Sequence, residues 1–366
     1  MSRTESLTGI RQVLGSKRVI ALFLTLVIVS SAGCSGFLGG DSGGDDSDAI
    51  ASVPAGVDGV MQFDSGVIDD STTVTLMDGL IDMGSDEVDQ VEEQKSYEEL
   101  IEEFEQETEL SIDDFHTATV FMKLEDFEQE EYGGMIVETE WSWEELQEAA
   151  DDTDQEFEED SYNGVTVYKS TDEMGEVTWV ADFEDGTFAF GTPEAVQDTI
   201  DTNQGDAETF SGELRDAYDR AEDGYMTAAF LIPEEEVNNA GAEAGMNAQF
   251  VPTPEIMTMT YYTDGNDMKL DTQMTMASQE EAEQFYQIAG GTIDPPSDGN
   301  QAQAGPMGSL IDATSVSQDG DTVTINFSMT PEEILTLLEE FNTMMGAGMG
   351  SGMSSVDGAQ SIGLAG

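Results

Sequence analysis

Carboxylates are the only catalytic side chains that this sequence contains in large number. Its 366 residues include 79 Asp and Glu, ten Lys and Arg, one His and one Cys, which gives a formal net charge of −69. Paired carboxylates could support glycoside hydrolysis by acid and base chemistry. Because acids are so frequent, adjacent carboxylates arise from composition alone, and no pair stands out. We therefore predict no catalytic residue and no cofactor.

The single imidazole belongs to His116. A catalytic histidine needs a nucleophile or a metal beside it, and the sequence places neither there. We expect a partly buried histidine at a strand start. The segment Gly40-Asp41-Ser42-Gly43-Gly44 is similar to the sequence around the nucleophile of trypsin-like proteases. That family requires a histidine before this serine, and none precedes it here, which argues against a protease.

Metal chemistry has little support in the sequence. One Cys excludes a disulfide framework and a Cys-based zinc site. The Asp clusters lack the spacing of a calcium loop, so we predict no dedicated metal site and only loose binding of inorganic cations to the acidic surface. A methionine cluster near the C-terminus could bind Cu(I) through its thioethers or form an adaptable low-complexity tail. This cluster consists of Met344, Met345, Met349 and Met353.

Two further groups of residues could contact a ligand or carry a modification. Trp141 and Trp143 flank a predicted helix start, where they could stack on a sugar, anchor a partner or attach the helix to the core. Asn326 opens the glycosylation sequon Asn-Phe-Ser. Asn326 points away from the apolar side of its predicted strand, although a sequon in mid-strand is unusual.

The charge excludes two classes of partner. Nucleic acid needs a basic surface that neutralises phosphates, and this chain cannot supply one. A polybasic contact with an anionic membrane is excluded for the same reason. With 38% hydrophobic residues there is still enough apolar material for a packed core.

The first 33 residues have the pattern of a secretory signal peptide. Four basic residues precede the apolar run Val19–Val29, and Ser31, Ala32 and Gly33 follow it as a cleavage region. A spanning helix needs about 20 apolar residues, so this run is too short, although a short uncleaved anchor is an alternative. The basic residues are Arg3, Arg11, Lys17 and Arg18.

Ser31-Ala32-Gly33-Cys34 resembles a lipobox, the recognition site of lipoprotein signal peptidase. The resemblance implies that Cys34 becomes the mature N-terminus and carries a thioether-linked lipid. Ser31 stands where a lipobox usually has Leu. Cys34 is nevertheless the only cysteine, and it follows directly on the signal sequence. We therefore expect attachment to the membrane through a lipid on Cys34.

Removal of residues 1–33 takes away Glu5 and four bases, which leaves 78 acids, six bases and a net charge of −72. Such a chain repels itself in dilute buffer, whereas the screening length falls to about 3 Å at 1 M salt. Excess charge of this kind is used by halophiles for solubility. Together with the lipobox, it makes the chain resemble secreted lipoproteins of halophilic archaea. That resemblance implies a location on the extracellular face of the cytoplasmic membrane.

The sequence divides into five segments. Residues 1–33 are the signal peptide, and residues 34–50 are the lipid-attachment Cys and a flexible Gly/Ser/Asp linker. Two α+β halves follow at 51–205 and 206–343. Residues 344–366, rich in Gly, Ser and Met, are predicted to be a disordered tail.

One local pattern recurs in both halves: two alternating strands, a turn and then a capped helix. The helix starts are Ser142, Thr192, Ser278 and Thr330, and each half opens with Asp-Gly before an apolar strand. We expect an α+β fold of antiparallel sheets covered by helices on one face, built from repeated hairpin–helix units. A duplication explains the pattern, and chance similarity is the alternative. The predicted strands are 116–124, 134–139, 176–183, 187–190, 257–262, 268–276, 313–317 and 322–328.

These features favour a non-catalytic binding or structural module of the cell envelope, because no catalytic constellation is visible. A carboxylate-based extracellular hydrolase is the main alternative, and a metal-handling surface protein is the other. A deep cleft with two carboxylates of raised pKa would favour the hydrolase. The sequence does not identify a protein or small-molecule ligand.

Overall fold

The computed structural model describes residues 48–85, 95–123, 132–150, 157–171, 177–233, 252–293 and 306–350. Its centre is one antiparallel sheet of twelve strands in the order β11-β12-β10-β9-β8-β1-β2-β3-β7-β6-β5-β4. The strands are β1 (Gly59–Asp64), β2 (Phe115–Met122), β3 (Gly133–Thr139), β4 (Glu158–Tyr162), β5 (Val165–Thr171), β6 (Val177–Asp182), β7 (Thr187–Gly191), β8 (Met226–Leu231), β9 (Pro254–Asp264), β10 (Asp267–Met276), β11 (Thr314–Asp319) and β12 (Thr322–Met329).

Ten α-helices accompany the sheet within these residues. They are α1 (Asp48–Ala51), α2 (Gly66–Asp69), α3 (Ser71–Ser85), α4 (Tyr97–Thr108), α5 (Trp143–Ala150), α6 (Pro193–Asn203), α7 (Glu213–Tyr218), α8 (Gln279–Ile293), α9 (Pro306–Asp312) and α10 (Pro331–Gly350). The chain is therefore α+β, as predicted. None of the helices in the described ranges has the length and apolar character needed to cross a membrane. Helix α10 continues past residue 343, the predicted end of the second half.

The two predicted halves meet inside this one sheet. Strand β1 pairs with β8 at the centre, with Gln62 opposite Thr227. Outward from β1 the first half runs β2-β3-β7-β6 and then β5-β4. Outward from β8 the second half runs β9-β10-β12-β11. The two halves are therefore continuous through the backbone hydrogen bonds that cross the line where they join.

Helices cover both faces of the first half, so the expectation of cover on one face alone is wrong. The front face, defined by Val60 and Ile136, packs against α1, α6 and α7. The back face carries Val137 and packs against α4 and α5. Ile136 and Val137 are neighbours on β3, point to opposite faces and are both buried. A strand that is apolar on both faces needs cover on both faces.

Around β10, β12 and β11 the helices pack on the back face, whereas α7 of the second half packs on the front face beside β8 and β9. Leu76 of α3 and Ile334 of α10 share a core cluster with Tyr261 and Met268. Helix α8 continues this cover, with Ala282 packed beside Met276 and Val323. The expectation of helices on one face thus holds for β10, β11 and β12, where only the back-face positions of the strands are apolar.

Three helices begin with the reciprocal hydrogen bonds of a capping box. They start at Ser96, Ser142 and Thr330, each paired with a Glu three residues later. At Ser278 the hydroxyl accepts a bond from the Glu281 amide. Thr192 differs from the prediction, since its hydroxyl makes no capping bond and is buried without a hydrogen-bond partner. Pro193 fixes the first helical residue there, so α6 begins without a side-chain cap.

The sequence analysis missed the hairpin β4–β5. Its turn is Asn163-Gly164, and both residues have positive φ values, 47° and 87°. Asn-Gly between alternating segments is the strongest local hairpin signal, so the sequence contained the information. The predicted hairpins at Asp264-Gly265 and Asp319-Gly320 are present as expected.

Candidate functional site

One row of front-face residues crosses the whole sheet and changes character between the halves. On β6, β7 and β3 of the first half it is apolar and lies beneath α6, whereas the central strands β2 and β1 carry Thr119 and Gln62. In the second half the equivalent positions are polar. From β6 to β11 the paired residues are Ala181, Ala189, Ile136, Thr119, Gln62, Thr227, Thr260, Asp271, Asn326 and Ser315.

We call the front side of β9, β10, β12 and β11 the polar face. Its outer positions are open to solvent, since Asn326, Ser315 and Ser317 are exposed. Helices α8 and α10 contribute to the back-face cores of the same strands. The polar face comprises Thr258, Thr260, Tyr262, Lys269, Asp271, Gln273, Thr324, Asn326, Ser328, Ser315 and Ser317.

Asp271 lies at the centre of the polar face and is only 7% exposed. The Tyr262 hydroxyl donates a hydrogen bond of 3.3 Å to its Oδ2 atom. Burial raises the pKa of Asp271 above its usual value, and the negative charge of Glu222 adds to this effect. The Tyr262 bond and the Lys269 charge oppose it. Burial and the charge of Asp271 also raise the pKa of Tyr262 to about 12.

A close backbone contact brings Glu222 to this face. The chain leaves α7 and passes Gly224 before it enters β8. A Cβ atom at Gly224 would lie 2.3 Å from the carbonyl oxygen of Tyr261 and 2.6 Å from the Cγ2 atom of Thr260. Only a glycine allows such contact with β9. Helix α7 is fixed nearby, because the Tyr218 hydroxyl donates a 2.7 Å hydrogen bond to Gln62.

The polar face can form many hydrogen bonds but has no nucleophile activated by a base. It offers hydroxyl groups, amides, one ammonium group and one carboxyl group of raised pKa. A cleft of about 480 Å³ lies between α9, the end of β12 and α10; it shares Ser328 with the polar face, and Asp271 does not line it. The described residues also contain no group of three or more His, Cys, Asp or Glu that could hold a metal ion.

His116 is more exposed than predicted. Its side chain is 49% exposed, and Nε2 lies 3.7 Å from Oε1 of Glu140. The register between β2 and β3 shifts between Phe115 and Thr117. His116 is the extra residue of this irregularity and leaves the alternation that would have buried it. Neither a nucleophile nor a metal-binding group accompanies it among the described residues.

The two tryptophans at the start of α5 have separate environments. Trp141 is buried, stacks on Phe115 and donates a hydrogen bond from Nε1 to the Ser111 carbonyl oxygen. Trp143 is partly exposed and stacks on Tyr168, with ring centroids 3.9 Å apart. Trp141 therefore belongs to the core, and Trp143 belongs to an aromatic cluster at the edge of the back face. They do not form one aromatic platform.

Asn326 is exposed, as the strand pattern suggested, and it lies on the polar face between Asp271 and Ser315. The signal and lipidation residues Ser31, Ala32, Gly33 and Cys34 lie outside the described residues, as do Gly40–Gly44 and Met353. Met344, Met345 and Met349 fall within the range of α10.

The polar face was not predicted from the sequence. Asp271, Asn326 and Ser315 are far apart in the chain and come together only through strand pairing. A local signal was nevertheless present, because residues 314–318 and 322–328 carry polar residues on one side and few charges.

Comparison with known proteins gives little further guidance. No model of a known protein family matches the chain, and no curated protein matches it. Among solved structures it is similar to crystal form III of TP0453, with 8% identity and a TM-score of 0.45 over 80% of this chain and 98% of that one. Crystal form I of TP0453 gives 9% identity and a TM-score of 0.42 over 80% and 97%. Likeness of this degree supports no conclusion about function.

Proposed function

We propose that this protein is a non-catalytic binding module of the cell envelope, held to the membrane by a lipid on Cys34, and that its ligand contacts the polar face. The observation that carries the proposal is the contrast between the halves. Ile136 and Ala189 are apolar and lie under α6, whereas the corresponding residues are the buried Asp271 and the exposed Asn326, which are both polar. A sheet face that keeps so many hydrogen-bonding groups in reach of solvent suits a polar ligand.

The charge of the chain limits the ligand to neutral or cationic molecules. A body with a net charge of −69 repels anions, and Lys269 is the only basic side chain on the polar face. The remaining groups are hydroxyls, amides and the Asp271 carboxyl group, which both donate and accept hydrogen bonds. These groups favour an uncharged polyhydroxyl ligand, such as a glycan of the cell envelope.

A binding assay with labelled neutral oligosaccharides in multimolar KCl tests this proposal. We expect saturable binding that weakens at least about tenfold when one exposed and one partly exposed hydrogen-bonding group are removed together, as in Asn326→Ala with Gln273→Ala. Gln147→Ala, on the exposed side of α5, serves as the matched control and should bind as the wild type does. Equal binding by the polar-face variant and the control would contradict the proposal.

A carboxylate-based hydrolase is the second candidate, and one observation favours it. Asp271 has a raised pKa and lies near the charge of Glu222, which resembles the pairing of an acid with an ionised carboxylate. The pair lies on a sheet face rather than in a deep cleft, which makes it the weaker candidate. Release of reducing ends from the same oligosaccharides, lost in Asp271→Asn, would replace the first proposal with this one.

Membrane attachment through Cys34 has its own test. Cys34→Ser removes the thiol that would carry the lipid, so we expect the protein to be released into the medium or to keep its signal peptide. Detergent partitioning and the intact mass measure both outcomes. Ser35→Ala, one residue later, is the control and should leave detergent partitioning and the intact mass as in the wild type, apart from the substituted atom. A Cys34→Ser chain that partitions like the wild type would rule out the lipid.

We also infer that the two halves arose by duplication. Strand order supports this, since β1-β2-β3-β7-β6 corresponds to β8-β9-β10-β12-β11, with β4–β5 as an insertion in the first half. The Asp-Gly openings at Asp58 and Asp223 align with the central pair Gln62 and Thr227. Helices α6 and α10 follow corresponding strands but pack on opposite faces. The polar residues of the second half account for this, because an apolar helix gains nothing on the polar face.

Removal of the insertion tests the duplication. A chain without residues 151–176 loses an edge hairpin that the repeat does not require, so we expect it to keep a cooperative thermal transition at a lower temperature. A chain without residues 313–330 loses strands that belong to the repeat and should not fold cooperatively. Circular dichroism melts distinguish the two, and equal loss of cooperativity in both would argue against a duplicated unit.

A further inference from the structure

The two edges of the sheet differ in charge. Strand β4 forms one edge and β11 the other. Strand β4 begins with three exposed carboxylates, Glu158, Glu159 and Asp160. Charged residues on an edge strand are a device that prevents pairing with another chain. Residues 314–318 of β11 carry no charge, although more than a fifth of the whole chain is acidic. This edge lacks the protection that the other has.

The register of β11 against β12 shows which backbone groups of β11 do not pair with β12. The amide of Ser328 donates a 3.0 Å hydrogen bond to the carbonyl oxygen of Ala313. Antiparallel pairs alternate between bonded and non-bonded positions, so Ser315 and Ser317 direct their backbone groups toward β12. The backbone groups of Thr314, Val316 and Gln318 therefore point away from the sheet, along the edge.

We propose that β11 pairs with β11 of a second copy of this chain, so that two sheets become continuous across a twofold axis at Val316. In an antiparallel arrangement centred there, Thr314 faces Gln318 of the other copy, and Ser315 faces Ser317. Asp319 faces Ala313, so no carboxylate meets another carboxylate. The same arrangement at β4, centred on Glu159, would place Glu158 opposite Asp160, and like charges directly opposite are destabilising.

Apolar surface beside the edge supports the same partner. Helix α8 packs against β11 on the back face. It carries Tyr286 and Ile288, which are 38% and 42% exposed. Two of the five large apolar side chains that are prominently exposed in the described ranges thus lie on the helix nearest this edge. Twofold pairing brings the two α8 helices to the same side of the joined sheet, where apolar side chains can be removed from water.

Sedimentation of the purified mature chain in molar KCl and mild detergent tests the association. We expect a monomer–dimer equilibrium for the wild type. Gln318→Pro removes one outward backbone N–H donor and leaves the hydrogen bonds to β12 intact. A sheet accommodates proline at such a position only in an edge strand. We expect this variant to shift the equilibrium to monomer. Gln318→Ala keeps the donor and should behave as the wild type. A circular dichroism melt checks that the proline variant folds.

Disulfide trapping tests the register. Cysteines at both Ser315 and Ser317 would face each other across a non-bonded pair, where cross-strand Cα atoms are about 4.5 Å apart. We expect mild oxidation to give a covalent dimer for Ser315→Cys with Ser317→Cys, and little for Ser315→Cys alone. A monomeric wild type, a dimer that persists in Gln318→Pro, or equal trapping by the single and double variants would overturn the proposal.

Discussion

Asp271 shows how one residue can reveal a surface that the sequence hides among 79 acids. Most carboxyl groups in the described ranges are exposed or partly exposed, whereas Asp271 is 7% exposed and lies near Tyr262 and Glu222. Burial of a carboxyl group favours its neutral form. Its position at the centre of the polar face is therefore a stability cost at neutral pH.

The raised pKa of Asp271 predicts how stability depends on pH. The folded chain holds this proton to higher pH than the unfolded chain, so its contribution to stability is complete below the usual Asp value of 3.8 and is lost as pH rises through the folded pKa. Asp271→Asn removes that loss. We expect the variant to melt at a higher temperature than the wild type at pH 7, with the difference vanishing at low pH. Thermal melts across this range at constant salt measure it.

Removal of any negative charge could stabilise so acidic a chain, so this experiment needs a charge control. Asp319→Asn removes one exposed carboxylate at the end of β11. If Asp271→Asn and Asp319→Asn raise the melting temperature at pH 7 equally, the overall negative charge explains the effect and the buried position of Asp271 does not.

Gly224 gives the second prediction for a single residue. A methyl group there would lie 2.3 Å from a backbone oxygen, and neither strand β8 nor β9 can move without breaking the ladder. We expect Gly224→Ala to lower the free energy of unfolding by about 1–3 kcal/mol. Denaturant titration in high salt measures this change.

Gly290 provides the matched control for that substitution. It lies in α8 with no atom within 4 Å of an added Cβ. Gly290→Ala should therefore raise the free energy of unfolding by about 0.5–1 kcal/mol, since alanine restricts the unfolded chain and favours helix. We therefore expect Gly224→Ala to lower the free energy of unfolding and Gly290→Ala to raise it. A neutral Gly224→Ala would mean that the segment before β8 does not contact β9 closely.

Helix starts allow a prediction at the scale of elements. Thr330 takes part in a reciprocal cap with Glu333, while the Thr192 hydroxyl is buried and has no hydrogen-bond partner. Thr330→Ala should cost about 1 kcal/mol of stability. Thr192→Val replaces an unsatisfied hydroxyl with a methyl group of similar size and should be neutral or stabilising. If Thr192→Val lowered the melting temperature as much as Thr330→Ala does, the Thr192 hydroxyl would have to cap α6.

Local signals made most elements predictable, because a hairpin turn or a capping box lies within a few residues of sequence. The strands around Asp264-Gly265 and Asp319-Gly320 and the helices after Ser142 and Thr330 follow such signals. The side of the sheet that a helix covers is not local. Helix α6 packs on the front because Ile136 and Ala189 are apolar there, and that depends on pairing between β3 and β7.

The candidate site was unpredictable for the same reason. The row from Gln62 to Ser315 joins residues of six strands, and each step depends on the register of a separate strand pair. A shift of one residue at any step would exchange the two faces. Composition could identify the acidic character of the surface, but only the ladder shows where its hydrogen-bonding groups are concentrated.

At the scale of the whole molecule, charge determines the conditions under which the fold is stable. If residues 1–33 are removed as proposed, the net charge is −72; the fold gains stability from core packing and loses it through mutual repulsion of its carboxylates. The screening length is about 10 Å at 0.1 M salt and about 3 Å at 1 M. Repulsion between neighbouring surface carboxylates is therefore suppressed only at high salt.

We expect the mature chain to lose its cooperative circular dichroism melt on dialysis from multimolar KCl to about 0.1 M KCl, and to regain it when salt is restored. A low-salt sample with sucrose controls for solvent exclusion, because sucrose strengthens burial without screening charge. If repulsion is the cause, NaCl at equal ionic strength should restore folding and sucrose should restore less. An unchanged melt at low salt would mean that core packing alone stabilises the twelve-stranded sheet against its own charge.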